Sequence, residues 1–498
     1  MKIATDPPIE ARLSTDPRQG RPMLTRRTLI AGLAALPAAA HARPTTPDLK
    51  GDIAILRQAL ALHPGLYRYA GPATVEARID ALERAFVAAP HLAARYLALS
   101  RFLATIRCGH SYANFYNQRA PVAAALFDRP TRLPFRFAWL RGEMVVLADD
   151  SGLRPGTIVE AIDGVPAPRL LAALLPYARA DGHNDAKRVD LLGVRGGDRI
   201  EYFDVFHGLV FGAPASGHRL ALRLPDGTRR TTELPAWGLA RRRAAMTPRA
   251  YDGDQPVWGW TMRADGVAVL DMPGWALYDS KWNWRAWLDD RLASLTGAKG
   301  LVIDLRANEG GQDCGDAILA RLIDRPLVEA GAERRLRFRR TPAALDPHLD
   351  TWDDGFRTLG VDAEPIGNGF FRQRGALADD GIQPVGPRLT LPVAALIGPT
   401  NSSATFQFAD RARRSGRVRM FGGTTGGNRR GINGGCFFFV RLLASGLEFD
   451  LPLIGYFPPG HPPDAGVEPD VPVAPTAADI AAGRDPVLDA AVAWAERR

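Results

Sequence analysis

Two segments of this 498-residue chain share one grammar, and together they constrain the fold more than any other feature. The apolar run Gly300-Leu-Val-Ile-Asp-Leu-Arg306 passes into Ala307-Asn-Glu-Gly-Gly311 and then into a helical pattern. Further on, Leu391-Pro-Val-Ala-Ala-Leu-Ile-Gly398 passes into Pro399-Thr-Asn-Ser-Ser-Ala-Thr-Phe-Gln-Phe408 in the same way. A strand that breaks through glycine into a helix leaves free N–H groups at the helix N-terminus, where they suit an anion. A strand that breaks through small polar residues lifts a hydroxyl onto an exposed turn, with the next N–H aimed at whatever that hydroxyl attacks. On neighbouring strands, the two junctions would supply a nucleophile and an oxyanion hole, the equipment of a serine hydrolase.

A chain of this length is expected to form two or three domains. Its 46% apolar and 23% charged residues are those of a globular protein. The formal charge of +9 is carried almost wholly by arginine, with lysine only at positions 2, 50, 187, 281 and 299. No basic run with interleaved aromatics occurs, so no nucleic-acid partner is expected. Thr25-Arg-Arg-Thr-Leu-Ile30 reads as a twin-arginine export signal, with a short apolar run over 29–36 and a small-x-small cleavage site at Ala40-His41-Ala42. Residues 1–42 are therefore expected to be leader and signal peptide, with Met23 as an alternative start. The mature chain would begin at Arg43 in the periplasm or outside the cell. No later stretch is apolar enough to span a membrane. Cys108, Cys314 and Cys436 match no zinc spacing, so no metal is expected, and a disulfide between two of them is left open.

Along the mature chain three patterns follow one another. Helical spacings run from Asp48 to about Phe115, ending at Arg107-Cys-Gly-His-Ser-Tyr112, and predict a helical domain over 43–120. Short strands and turns follow over 130–240, with a helix over 169–177 and an inserted segment over 178–214 that carries Asp181-Gly-His-Asn184. From 255 to 475 strands alternate with helices, which predicts an α/β core with a largely parallel sheet. Its strands are expected at 266–271, 300–305, 392–397 and 418–421, and its helices at 284–295, 316–322 and 404–414. A glycine-rich loop over 422–435 leads to a hairpin, and a C-terminal helix is expected over 476–498.

Ser402 and Ser403 compete as nucleophile. Ser403 is favoured because it directly precedes Ala404 and the helix. No lysine follows Lys299, which excludes a downstream Ser–Lys dyad and leaves histidine as the base. His110 sits in a non-helical break from which a ring can reach a cleft, with His461 as its rival. Asp464, in a turn close to His461, is the expected carboxylate that orients the imidazole.

These motifs resemble those of the C-terminal-processing (tail-specific) serine peptidases and their tricorn-core and retinoid-binding-repeat relatives. Gly300 to Gly311 resembles the family's LILDLRxNxGG and Thr400 to Thr405 its TxSA(S/T) nucleophile turn. Gly422 to Gly427 is similar to GExTxG, Gly466 to Asp470 to GVxPD, and Cys108-Gly-His-Ser111 to the DGHS/T of the tricorn-like branch. The 151–164 stretch resembles the central strand of a PDZ domain, with Thr157 where aspartate is usual. The resemblance implies a crotonase-like (ClpP/crotonase-type) spiral core carrying a PDZ-like domain. It implies Ser403 as nucleophile, His110 as base, and an oxyanion hole from the N–H groups of Gly310 or Gly311 and of Ala404. The substrate would be a peptide or protein, held through its C-terminus, and no cofactor is implied. Glu309, Cys108, Phe406 and Asn428 depart from the family pattern. An esterase or amidase with the same residues, or a non-catalytic binder of an apolar or peptide ligand, are the other readings of this sequence.

Overall fold

A computed structural model describes residues 48–246, 250–328, 333–373 and 381–497. The expected leader, twin-arginine signal and cleavage site lie outside the described residues. The first three helices, Leu49–Leu60, Pro72–Ala88 and Leu92–Ala104, bury Leu56, Ile79, Phe86, Tyr96 and Leu99 on one another, as their spacing predicts. Asp48 caps the first, and its side chain accepts from the Gly51 N–H.

Three six-stranded sheets follow. The first, antiparallel, is built from Phe137–Leu140, Glu143–Val146, Ile158–Ile162, Val165–Pro166, His218–Arg223 and Arg229–Leu234, and the helix Ala167–Leu174 buries Leu170 and Leu174 against this region. The inserted segment contributes two further helices, Asp185–Leu191 and Tyr202–Val210. The second sheet, also antiparallel, is dominated by Asn433–Arg441 paired with Glu448–Phe457. Its outer strands, Glu333–Leu336, Phe370–Arg372, Glu364–Gly367 and Leu349–Asp350, are short and were not expected from the sequence.

The third sheet carries the two junctions. Val267–Asp271, Gly300–Asp304, Val393–Ile397 and Val418–Gly422 run parallel side by side, with Gly259–Met262 antiparallel at one edge and Val471–Pro472 at the other. The strand Gly300–Asp304 pairs directly with Val393–Ile397 (Leu301 opposite Val393, Asp304 opposite Leu396). Both therefore end on the same edge, where a right-handed α/β arrangement places its turns and helix N-termini. Ser403–Ser415 is the helix after the second junction, and it ends at Gly416 with a left-handed φ of 64°.

One core runs continuously through the N-terminal helices, the first sheet and the second sheet, from Ile53 through Phe137 to Leu453. A second fills the space between the parallel sheet and its helices, around Trp275, Phe408 and Ile303. The single C-terminal helix expected over 476–498 is two helices, Ala477–Ala481 and Pro486–Glu496. Gly483 has a left-handed φ of 63°, and Asp485 and Pro486 start a new helix as cap and first residue. The second helix lays Val487, Ala491, Val492 and Ala495 on the parallel strands. Among the described residues no helix is long and apolar enough to cross a membrane.

Candidate active site

Ser402 is the N-cap of the helix and Ser403 its first residue. Ser403 has a φ of 49°, a conformation that costs a non-glycine residue roughly 1–3 kcal/mol and is retained where the surroundings enforce it. Gly310 supplies part of that enforcement. Its φ is 123°, and a Cβ built there would stand 2.9 Å from both Ser402 O and Ser403 Cβ and 3.2 Å from Ala404 N. Only glycine lets the 308–311 loop lie this close to the serine turn.

Two buried asparagines lock the junctions together. Asn308 accepts from the Gly310 N–H at 2.9 Å and from Thr405 Oγ1 at 2.7 Å, while its amide donates to Met272 O at 2.8 Å. Asn401 donates to Leu305 O at 2.5 Å and Asn308 O at 3.0 Å and accepts from the Gly398 N–H at 2.8 Å. Neither side chain meets solvent. The Gly310 N–H is thus committed to Asn308. The N–H groups of Gly311 and Ala404 have no hydrogen-bond acceptor among the described residues. Of the expected oxyanion donors, these two are the pair with an N–H to offer.

His110 lies on a loop tied to the second sheet. Asn114 and Asn117 donate to Asp450 at 2.8 Å each, and Gln118 donates to Glu448 O at 2.7 Å. Its own neighbour Gly109 is gripped at both ends. The N–H donates to Asp181 Oδ1 at 2.8 Å, and the carbonyl accepts from Arg179. The imidazole lies 5.8 Å from the Phe437 ring, and a Cβ on Gly434 would be 3.9 Å from its Cε1 and Nε2. His110 Nδ1 is buried and has no hydrogen-bond partner among the described residues. Burial, reinforced by the Arg179 charge and opposed by Glu309, lowers its pKa to about 4. At neutral pH the ring is an uncharged base.

Asp464 does not make the expected bond to His110. One oxygen accepts from the His183 N–H at 3.0 Å and Asn428 Nδ2 at 2.8 Å, and the other lies 2.6 Å from His183 Nδ1. Burial would raise this carboxyl, but the His183 and Asn428 bonds outweigh it and hold the pKa below the usual range. The reason lies in the inserted segment, whose Asp181-Gly-His-Asn184 occupies the space in front of Asp464. From there Asn184 donates to Thr425 O at 2.7 Å and Gly427 O at 2.9 Å. The cysteines, left open as a bridging pair, form no disulfide among the described residues, with Cys108 and Cys314 buried.

Sequence reasoning missed the charged group around Glu309, next to Gly310. Glu309 Oε1 accepts from Lys187 Nζ at 2.9 Å and from Arg179 at 3.2 Å. Desolvation by the groups packed around it pushes the half-exposed Glu309 carboxyl up, yet the two cations prevail and bring it down to about 2. Arg179 also donates to the Tyr202 hydroxyl at 2.6 Å and stacks 4.3 Å from the Tyr112 ring. Glu309 was visible as a departure from the family motif, and Asp181 to Asn184 as a polar cluster in an insertion. Nothing in the spacing told that Arg179 and Lys187, on either side of that cluster, would meet Glu309.

Residues 266–473 match the model of peptidase family S41. Solved structures with the same fold include mature CPAF complexed with lactacystin, at 17% identity and a TM-score of 0.60, with 90% of this chain and 97% of that one covered. Mature CPAF alone gives 17% identity and a TM-score of 0.55, with 86% and 93% covered. At these identities the likeness is one of fold. No curated protein matches the chain in sequence. The family motifs stand on adjoining strand ends of a mixed α/β fold, and the match over residues 266–473 to peptidase family S41 indicates a serine peptidase.

Proposed function

We propose that the protein hydrolyses peptide bonds by acyl transfer to Ser403, with His110 as general base. The observation that carries this reading is the strained backbone of Ser403 held beneath Gly310, with the unpaired N–H groups of Ala404 and Gly311 beside it. Ser403 Oγ attacks the scissile carbonyl, the two N–H groups receive the developing oxyanion, and the neutral imidazole takes the serine proton and returns it to the leaving amine. Asp464 serves the base at one remove. Through His183 and Asn428 it seats the 181–184 segment, whose Asp181 holds the backbone beside His110. His110 and Ser403 are to meet when substrate closes the cleft, as catalytic contacts often tighten only in the complex.

The antiparallel sheet over 137–234, with its helix at 167–174, is proposed to act as a PDZ-like module that adds an extended peptide as a strand and receives its C-terminal carboxylate. The third sheet with its helices is read as the crotonase-like core. The leader is read as directing export to the periplasm.

A serine-reactive phosphonate tests the assignment. Ser403→Ala is expected to abolish labelling and to lower peptide hydrolysis by roughly 10⁴- to 10⁶-fold with the fold intact. Ser402→Ala, at the N-cap, should still label. The reverse result would move the nucleophile by one residue.

A further inference from the structure

The 308–311 loop and the 399–403 turn are joined on their buried side by Asn308 and Asn401, and on the cleft side by a single cation. Lys187 Nζ donates to Glu309 Oε1 at 2.9 Å and to Thr400 O at 3.1 Å, and its side chain is only 4% exposed. Glu309 precedes Gly310, which touches Ser403; Thr400 opens the turn that carries Ser403. The lysine stem passes over Gly426, where a Cβ would stand 2.9 Å from both Lys187 Cδ and Ser402 Oγ, so the glycine makes room for it. Lys187 belongs to the helix Asp185–Leu191 of the inserted segment, and Asp190 of the same helix accepts from Thr400 Oγ1 at 2.9 Å.

A buried ammonium is costly unless it is paired and hydrogen-bonded. Here both needs are met by two loops whose separation defines where the oxyanion must sit. We infer that Lys187 is a positioning residue for acyl transfer, bridging the Glu309 carboxylate and the Thr400 carbonyl so as to fix the spacing between the Gly310–Gly311 loop and the Ser403 turn. Two of its three N–H groups are taken by these acceptors. The role joins this chain's insertion to the glutamate at 309. This inference rests on the assignment of Ser403 as nucleophile.

Lys187→Met keeps the length of the stem and removes the donor. The readout is the second-order rate of phosphonate labelling across pH, with thermal unfolding recorded alongside. Labelling is expected to slow roughly 10- to 30-fold, since a misplacement well under 1 Å costs about that much. The acid limb of the profile should move to higher pH, because of the charged groups facing His110 (Arg179, Lys187 and Glu309) one cation is gone. A purely structural lysine would leave that limb in place. Lys187→Arg should restore part of the rate. If Lys187→Met does not fold, Glu309→Gln at its half-exposed position carries the test, with a similar slowing but an acid limb moved the opposite way. The Lys187→Met/Glu309→Gln double variant should be no slower than the worse single, since the two act as one bridge. Labelling within threefold of the parent in both single variants, or losses that multiply in the double, would overturn the inference. Labelling that survives Ser403→Ala would instead remove the nucleophile assignment, and the inference with it.

Discussion

Gly310→Ala is the sharpest probe of the site, because one methyl group is asked to occupy space the serine turn already fills. The backbone φ of 123° strains any L side chain by about 1–3 kcal/mol. The new Cβ would also meet Ser402 O and Ser403 Cβ at 2.9 Å, several tenths of an ångström inside ordinary contact. Overpacking of this kind adds roughly 1–3 kcal/mol unless neighbours give way. The neighbour that can give way is the strained Ser403 turn itself, since Asn308 and Asn401 hold the other side. Most of the penalty should therefore appear as a displaced nucleophile and a displaced Ala404 N–H. A shift of about half an ångström corresponds to a loss of about 10- to 100-fold in acylation rate, with the thermal midpoint lowered by only about 1–3 °C. Phosphonate labelling kinetics and calorimetry read the two quantities separately. Gly398→Ala is the control: it stands three residues before Asn401, has no left-handed φ, and its Cβ would find open space. Reasoning from this geometry is refuted if Gly310→Ala labels within threefold of the parent, or if Gly398→Ala is impaired as severely.

Three further outcomes are expected. The activity–pH profile should keep its acid limb well below the ordinary histidine value of 6.5, because burial and Arg179 lower His110; activity persists while the ring is neutral and fails as pH falls towards about 4, and a limb at or above 6.5 would remove His110 as the base. The same shift has a stability sign, since the unfolded chain takes the proton first and His110 therefore disfavours the fold as pH drops below 6.5, an effect His110→Gln should reduce in acid unfolding curves. Replacing Arg26 and Arg27 by lysine should leave precursor in the cytoplasm, as cell fractionation would reveal, and normal export of that variant would remove the twin-arginine assignment.

What the sequence made legible was local. The strands Gly300–Asp304 and Val393–Ile397 and the helix Ser403–Ser415 lie within a residue or two of their expected bounds, because unbroken apolar runs bounded by glycine leave few alternatives. The N-terminal helices were legible from the helical spacing of their apolar residues. The outer strands of the second sheet were not: Glu333–Leu336 is three-quarters charged, and Leu349–Asp350 and Phe370–Arg372 are too short to show a period. Their strand character comes from partners far along the chain. The site divides in the same way. Ser403, Gly310 and Ala404 are neighbours of their own motifs, and adjacent parallel strands had to bring them together. Lys187, Arg179 and Asp181 reach the site from an insertion with no motif of its own, across more than a hundred residues to Glu309. His183 took the carboxylate expected to serve His110, a competition that only the packed chain could decide.

The helix Pro486–Glu496 makes the site depend on a part of the chain remote from it in sequence. It covers one face of the parallel sheet, with Ala491 and Ala495 wholly buried and Gly300 so close to Ala495 that a Cβ there would stand 2.7 Å from the alanine methyl. Arg306, just after the strand that leads to Glu309 and Gly310, is bound through both terminal nitrogens to Asp485 at 2.8 and 2.7 Å. This helix thus completes the sheet that bears the Ser403 turn and anchors the strand end that leads to Glu309 and Gly310. Loosening it would disturb the placing of both loops without altering a single residue within them.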